Sequence, residues 1–274
     1  MSLLEGKSAI VTGSSTGIGK GIAERYAREG ANVTVNYYRH GDEAEDTAER
    51  CRRAFAENGH TGGKCIVVQA DVSNEEQVKA MFAKTLEAFG GLDVLVNNAG
   101  IQKYSNSDEL ELADFDKITH VNLRGTFLCS REALKHFLAR PQGPKGGVIL
   151  NNSSVHEIIP KPGYVSYSMS KGGMENMTKS LALEYARRGI RVNAVGPGAI
   201  LTPINDAWRH DEAAKAAVEA HIPMGRAGVV EEIASVFAFL ASEEASYITG
   251  QTIFACGGLT LYPEFADPWS SGGE

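Results

Sequence analysis

Short β-branched runs alternate with longer helical patterns almost from one end of the chain to the other, and this alternation restricts the fold more than any other feature. Candidate strands fall at 8–12, 32–36, 65–69, 93–96, 147–152, 190–195 and 251–255. Their apolar residues run nearly unbroken, the pattern of strands covered on both faces. Between the first two strands, Ile18, Ile22 and Tyr26 recur every four residues with Ala23 and Ala27 beside them. Between the third and fourth, Val78, Met81, Phe82, Leu86 and Phe89 mark another apolar helix face. Ser73, just ahead of Asn74-Glu75-Glu76, is the expected N-cap of that helix, and the acidic residues suit its positive end. Repeated β–α units joined by right-handed crossovers predict an α/β fold, a doubly wound parallel sheet of about seven strands with helices on both faces. No linker, charge block or solenoid repeat divides the chain, and the Gly/Pro-rich stretch at 141–147 falls where a helix must turn into a strand. One domain is expected over 1–264, followed by a flexible tail at 265–274.

The chain has 274 residues, with 27 basic against 34 acidic side chains and a net charge of −7. An acidic chain is a poor partner for phosphate backbones, so nucleic acid is not an expected ligand. The clearest apolar run, at 236–241, is far shorter than the ~20 residues of a membrane span. Glu5 interrupts the N-terminus before a signal-peptide core forms. Cys51, Cys65, Cys129 and Cys256 are scattered without a CxxC pair, which predicts reduced thiols in a cytoplasmic protein. The seven histidines are equally dispersed, and no metal site is expected.

The first predicted strand runs into Thr12-Gly13-Ser14-Ser15-Thr16-Gly17-Ile18-Gly19, within which a helix begins. In this setting Gly13 permits a sharp turn, Gly17 lets backbone approach a pyrophosphate, and Gly19 lets the helix pack close to the sheet. The free N–H groups of the helix end then face the phosphates. The sheet is therefore expected to be of the Rossmann type, with a dinucleotide at this turn. Farther on, Tyr167 and Lys171 stand four residues apart in a helical pattern at 165–187, on one face and about one turn apart. An ammonium beside a phenol favours the phenolate, which is what a tyrosine needs to act as a base near neutral pH. Tyr164 is a rival by residue type, but its partner one turn on is Ser168, which carries no charge.

Taken in order, the glycine turn, Asn97-Asn98-Ala99-Gly100, Asn122, Ser154, Tyr167-x-x-x-Lys171 and Pro197-Gly198 resemble the short-chain dehydrogenase/reductase family over residues 7–260. The resemblance implies that Tyr167 is the general base in alcohol oxidation and the acid in the reverse reaction. It implies that Ser154 orients the substrate oxygen, Lys171 also binds the nicotinamide ribose, and Asn122 holds a water in a proton relay. The family spacing selects Ser154 over Ser153. It further implies cofactor contacts at Gly13, Ser15, Thr16, Gly17, Ile18, Gly19, Asp71, Val72, Asn98, Ala99, Gly100, Tyr167, Lys171, Pro197, Gly198, Ile200 and Thr202. A homotetramer is implied as well, with an interface on helices around 106–137 and 164–185.

At the end of the second strand no carboxylate appears until Asp42, where NAD-binding folds usually offer one to the ribose hydroxyls. Arg39 would pair with a 2′-phosphate, so NADP, or dual use of NADP and NAD, is expected; the alternative is a solvated loop arginine.

Within the family, the stretch from Ser153 through Val155-His156-Glu157 to Pro160 is similar to the bacterial glucose 1-dehydrogenases, as are Ile222-Pro223-Met224-Gly225 and Gly257-Gly258-x-Thr260-Leu261-Tyr262-Pro263. The implied substrate is a small molecule, an aldose oxidised at its anomeric hydroxyl, contacted by Ser154, His156 and Tyr167, with Glu157 a further polar candidate. Cys256 stands where that subgroup commonly has Asp, and Asn152 and Lys161 stand where it has Met and Trp. The segment 203–229, with Trp208 and His210, is the expected substrate lid. Two other readings stay open. A 3-oxoacyl or other ketone reductase would share the catalytic residues and have an apolar pocket around Trp208 and Met224. A non-catalytic dinucleotide-binding regulator would bind the cofactor without turnover.

Overall fold

The structure, a computed structural model, describes residues 2–140 and 146–261. The tail expected at 265–274 and most of the turn at 141–147 lie outside the described residues. Seven strands among the described residues form one sheet: β1 (Ser8–Val11), β2 (Asn32–Tyr37), β3 (Cys65–Gln69), β4 (Val94–Asn97), β5 (Val148–Asn152), β6 (Arg191–Pro197) and β7 (Thr252–Ala255). All neighbours are parallel, in the order β3-β2-β1-β4-β5-β6-β7. The chain winds outward from β1 in one direction and from β4 in the other. A crevice therefore opens at the carboxyl ends of these two strands, the place where such sheets bind ligands.

Helices cover both faces. α1 (Gly17–Arg28), α2 (Gly41–Glu57) and α9 (Val230–Ala241) pack on one side, where Ile22, Tyr26, Cys51 and Phe237 join Ala9 and Val11 of β1 in a single core. α3 (Glu75–Phe89), α5 (Gly125–Leu138) and α6 (Val165–Tyr185) cover the other, where Met81, Leu128 and Ala182 meet Ile10. The unbroken apolar runs are explained by this: successive residues of β1 enter opposite cores. The N-cap of α3 is Asn74, whose side chain accepts from the amides of Glu76 and Gln77 at 3.1 Å each. This corrects the expectation of Ser73, whose hydroxyl instead donates to Asp71 at 2.7 Å. Asn74 wins because its carbonyl reaches the free amides from the position directly before the helix.

α4 (Leu112–Thr119) runs into α5 through one π-helical turn, His120–Arg124. Beyond β6 the chain forms two short helices, α7 (Asp206–Arg209) and α8 (Glu212–Glu219), within the segment expected to be a lid. No helix among the described residues is long and apolar enough to cross a membrane.

Candidate active site

The glycine turn after β1 needs glycine for two separate reasons. Gly13 and Gly17 have φ of +59° and +55°, in the left-handed region. A side chain at Gly13 would also place Cβ 2.8 Å from Ala99 Cα, and one at Gly19 would place it 2.5 Å from the Gly13 carbonyl oxygen. The turn is latched to the loop after β4: the Asn98 side chain donates to the carbonyls of Thr12 (2.9 Å) and Gly13 (2.8 Å). Thr12 Oγ1 accepts from the amides of Asn98 and Ala99. Thr16 precedes α1 in extended conformation without capping the helix through its side chain, which leaves the first-turn amides available to an anion.

Asn36 holds the turn from behind, accepting from the Gly13 amide at 3.0 Å and donating to the carbonyls of Val68 and Ala70 at 3.2 Å. It stands near the end of β2, where NAD-binding folds usually offer a carboxylate to the ribose, and its role as a backbone brace carries no sequence signal.

A cleft of about 1130 Å³ opens above this turn, larger than the roughly 300–1,000 Å³ of sites for a single drug-sized ligand. Ser15, Thr16, Gly17 and Ile18 line one end, with Arg39, Asp71 and Val72. Asn98, Ala99 and Gly100 line its floor side, and Pro197, Gly198, Ile200 and Thr202 come from the loop after β6. Gly19 packs beneath the turn and is not part of the wall. The glycine cradle, the uncapped helix end and the size fit a dinucleotide together with a small substrate. Arg39 is exposed, with its guanidinium 5.1 Å from the centroid of the neighbouring Tyr38 ring.

At the other end stand Ser154, Tyr167 and Lys171, all buried and all lining the cleft. β5 delivers Ser154, which starts a 3₁₀ turn (Val155–Glu157) by accepting from the His156 amide at 3.2 Å. Tyr167 lies in the first turn of α6 and Lys171 one turn later. Burial pushes the Tyr167 phenol above its ordinary value, while its hydrogen bond with the Ser154 hydroxyl pulls the other way. Burial brings the Lys171 ammonium down to about 8, opposed by the carboxylate of Glu157. The lowering of Tyr167 expected from Lys171 is therefore absent in the protein by itself, because desolvation of the phenol dominates.

Ser153 also borders the cleft, but its hydroxyl is engaged, donating to Glu157 Oε2 at 2.5 Å. Glu157 does not line the cleft, which corrects its expected contact with a polyol. His156 does line it; its Nδ1 lies 3.0 Å from the Ile159 carbonyl oxygen, and burial lowers its pKa below the ordinary imidazole value.

Asn122 lies in the π turn, fully buried and outside the cleft wall. Its side chain accepts from the Ile101 amide (2.8 Å) and donates to the Ile101 carbonyl (2.9 Å) and Ser170 Oγ (3.1 Å). Such π turns recur at functional sites. Here the turn aims Asn122 at the strand-end loop that carries Gly100. From the lid segment, Ile204, Asn205, Trp208 and His221 enter the cleft, and Gln102 ties it down by donating to the Ile204 carbonyl at 3.1 Å. Met224 is exposed and does not line the cleft, so it is no part of the apolar pocket that a ketone reductase would build around Trp208 and Met224. Asn152 and Lys161, the departures from the glucose dehydrogenase pattern, both line the cleft, as do Gln102, His221 and Leu259, which carried no sequence signal of their own. Among the described residues no cluster of three potential metal ligands occurs.

The family described as enoyl-(acyl carrier protein) reductase matches residues 13–260. A Gluconobacter oxydans protein named glucose 1-dehydrogenase is 48% identical over 266 residues, which is 97% of this chain and 96% of that one. A 3beta-hydroxysteroid dehydrogenase 1 from Eggerthella lenta is also 48% identical, over 96% of this chain and 97% of its own. The crystal structure of a short-chain type dehydrogenase/reductase from Mycobacterium marinum superposes with a TM-score of 0.86 at 34% identity, covering 94% of this chain and 97% of that one. Fold and cleft together define a nicotinamide-dinucleotide-dependent oxidoreductase. The chain belongs to the short-chain dehydrogenase/reductase family.

Proposed function

We propose that the protein oxidises the anomeric hydroxyl of an aldose such as glucose to the lactone, with NADP preferred and NAD as a second acceptor. The observation that carries this reading is the set of polar side chains that share the cleft with Tyr167, namely Ser154, His156, Asn205 and His221. A sugar needs several such partners, because a buried hydroxyl without one loses affinity. The likeness to a glucose 1-dehydrogenase over nearly the whole chain supports it.

In this account Tyr167 takes the hydroxyl proton while Ser154, hydrogen-bonded to it, orients the same oxygen. A dinucleotide held at the Gly13–Gly17 turn and by Lys171 would supply the hydride acceptor and, when oxidised, a positively charged ring. Lys171 holds positive charge beside the phenol and ties α6 to β5 through the Asn152 carbonyl. Asn122 fixes the backbone at Ile101, shaping the floor next to Gly100. Arg39, exposed and without a carboxylate partner among the described residues, pairs with the 2′-phosphate of NADP.

The same reading makes the protein a cytoplasmic homotetramer. Its four cysteines are unpaired, in keeping with a reducing compartment. Phe127, Met169 and Leu183 are exposed on α5 and α6, the helices expected at the interface. A ketone reductase is the second reading, favoured by Ile204, Trp208, Val218 and Leu259 in the wall and by the equal identity to a hydroxysteroid dehydrogenase.

The test is reduced-nicotinamide formation from D-glucose with NADP and with NAD, using Tyr167→Phe as control. Turnover by the wild type and not by the variant is expected. No turnover on any aldose, with ketones reduced readily, would replace this reading with the second.

A further inference from the structure

The cleft is charged opposite to the chain. The protein carries −7 overall, yet the cleft wall holds Arg39, Lys117, Lys161 and Lys171 against Asp71 and Asp116. Arg39 and Lys171 already have tasks at the two ends of the dinucleotide. Lys161 has none.

It sits in Pro160-Lys161-Pro162-Gly163, between the 3₁₀ turn after Ser154 and the start of α6. A residue before proline is confined to extended backbone, and the flanking rings stiffen the loop further, so the root of the side chain is fixed. The side chain is half-buried. Among the described residues its recorded neighbour is an aromatic face: Nζ lies 4.0 Å from the centroid of the Tyr164 ring. Tyr164 is itself held edge-on by Tyr104, with ring centroids 5.8 Å apart. Burial lowers the ammonium's pKa with no carboxylate opposing it, unlike Lys171, which has Glu157.

The charge also falls on the reacting side of the cleft. Lys161 is close enough to His156 to depress the imidazole's pKa, and the His156 ring stands 6.3 Å from that of Tyr167. The donors suited to cofactor phosphates lie elsewhere, at the glycine turn. A partly desolvated cation without a counter-charge is costly, and a ligand anion removes that cost.

We infer that Lys161 is a specificity residue that binds an anionic group, a carboxylate or a phosphate, on an aldose whose anomeric hydroxyl meets Tyr167. The inference rests on the aldose reading above and adds the charge of the substrate. A neutral sugar reaches Tyr167 but leaves the ammonium without its partner.

Binding separates this from the question of turnover. The enzyme–NADPH complex is titrated with D-glucose, D-glucuronate and D-glucose 6-phosphate, with nicotinamide fluorescence as the readout. The variants are Lys161→Gln and the charge-conserving Lys161→Arg. At least one anionic sugar should bind wild type about tenfold or more tightly than D-glucose, as one charge-assisted hydrogen bond provides. Lys161→Gln should bring that ratio to about one, and Lys161→Arg should keep most of it. Glucuronate against the phosphate ester identifies which anion fits. If neither anionic sugar binds more tightly than D-glucose, or if Lys161→Gln retains the preference, the inference is wrong, even where D-glucose is oxidised. If an anionic sugar binds through Lys161 but no aldose is oxidised, the anion site stands and the oxidation reading fails.

Discussion

The Lys171 ammonium donates to the carbonyl oxygen of Asn152 at 2.6 Å while its Nζ stands 5.6 Å from the centroid of the Tyr167 ring. One side chain thereby joins the last residue of β5 to the first turns of α6. Ser154 follows Asn152 by two residues, so the same bond sets the distance between the serine and tyrosine that share a hydrogen bond. The site is positioned by secondary structure and not by mobile loops, which is what orienting an alcohol requires.

Lys171 makes stability depend on pH. Its folded pKa is about 8 against an ordinary 10.5, so below pH 8 it is protonated in both states and its burial opposes folding. Between those values the unfolded chain retains a proton that the folded protein has released, and stability rises with pH. Relative to Lys171→Met, the wild type should gain about 3 kcal/mol between pH 7.5 and 10.5. Urea denaturation across that range measures it, and a difference that does not change with pH contradicts the depressed value.

Gly19→Ala and Gly91→Ala should differ sharply. A Cβ at Gly19 meets the Gly13 carbonyl oxygen at 2.5 Å, whereas one at Gly91 has nothing within 4 Å. The first change should cost about 1–3 kcal/mol by overpacking, and it should weaken NADPH binding by distorting the turn. The second should stay within about 0.5 kcal/mol of wild type. Denaturant melts and a fluorescence titration read both.

Ser154→Ala and Ser153→Ala test which hydroxyl faces the reacting oxygen. Removal of Ser154 should lower kcat/KM by about 10²–10³, the loss typical of one donor aimed at a reacting oxygen. Ser153 is bonded to Glu157 instead. Its removal should act only through the loop and cost less than about tenfold. Equal losses from the two variants in steady-state kinetics would be inconsistent with the geometry.

Arg39→Ser addresses the choice of cofactor. The ratio of kcat/KM for NADP to that for NAD should fall roughly 10- to 100-fold, the value of a charge-assisted pair. A ratio unchanged by the substitution would leave Arg39 as a solvated loop residue stacked on Tyr38.

Much of this arrangement was legible in the sequence because it depends on local pattern. The strand runs fell within about two residues of the observed strands, since each was bounded by glycine, charge or a helical period. Gly13 and Gly17 were readable because their left-handed backbone angles favour glycine. The i, i+4 spacing alone put Tyr167 and Lys171 on one face. What escaped depends on contacts made far along the chain. Glu157 has the right residue type for a substrate ligand, but Ser153, four residues back, binds its carboxylate, and it stays out of the cleft wall. Met224 shares its motif with a buried neighbour, Ile222, yet faces solvent. The service of Asn122 to Ile101 follows from one extra residue in a helical turn, which leaves no compositional trace. Lys161 was visible as a departure from its subgroup, but its want of a counter-charge emerges only once the surrounding elements are in place.

Transfer of the anomeric hydrogen is the central claim, and D-glucose deuterated at C1 tests it most directly. After incubation with the oxidised cofactor, mass spectrometry of the reduced nicotinamide should find one deuterium per molecule formed in step with lactone, and Tyr167→Phe should form neither at a comparable rate. Reduced cofactor without deuterium would mean that another hydroxyl is oxidised. No reduction with D-glucose or with its C6-anionic analogues would contradict the account as a whole.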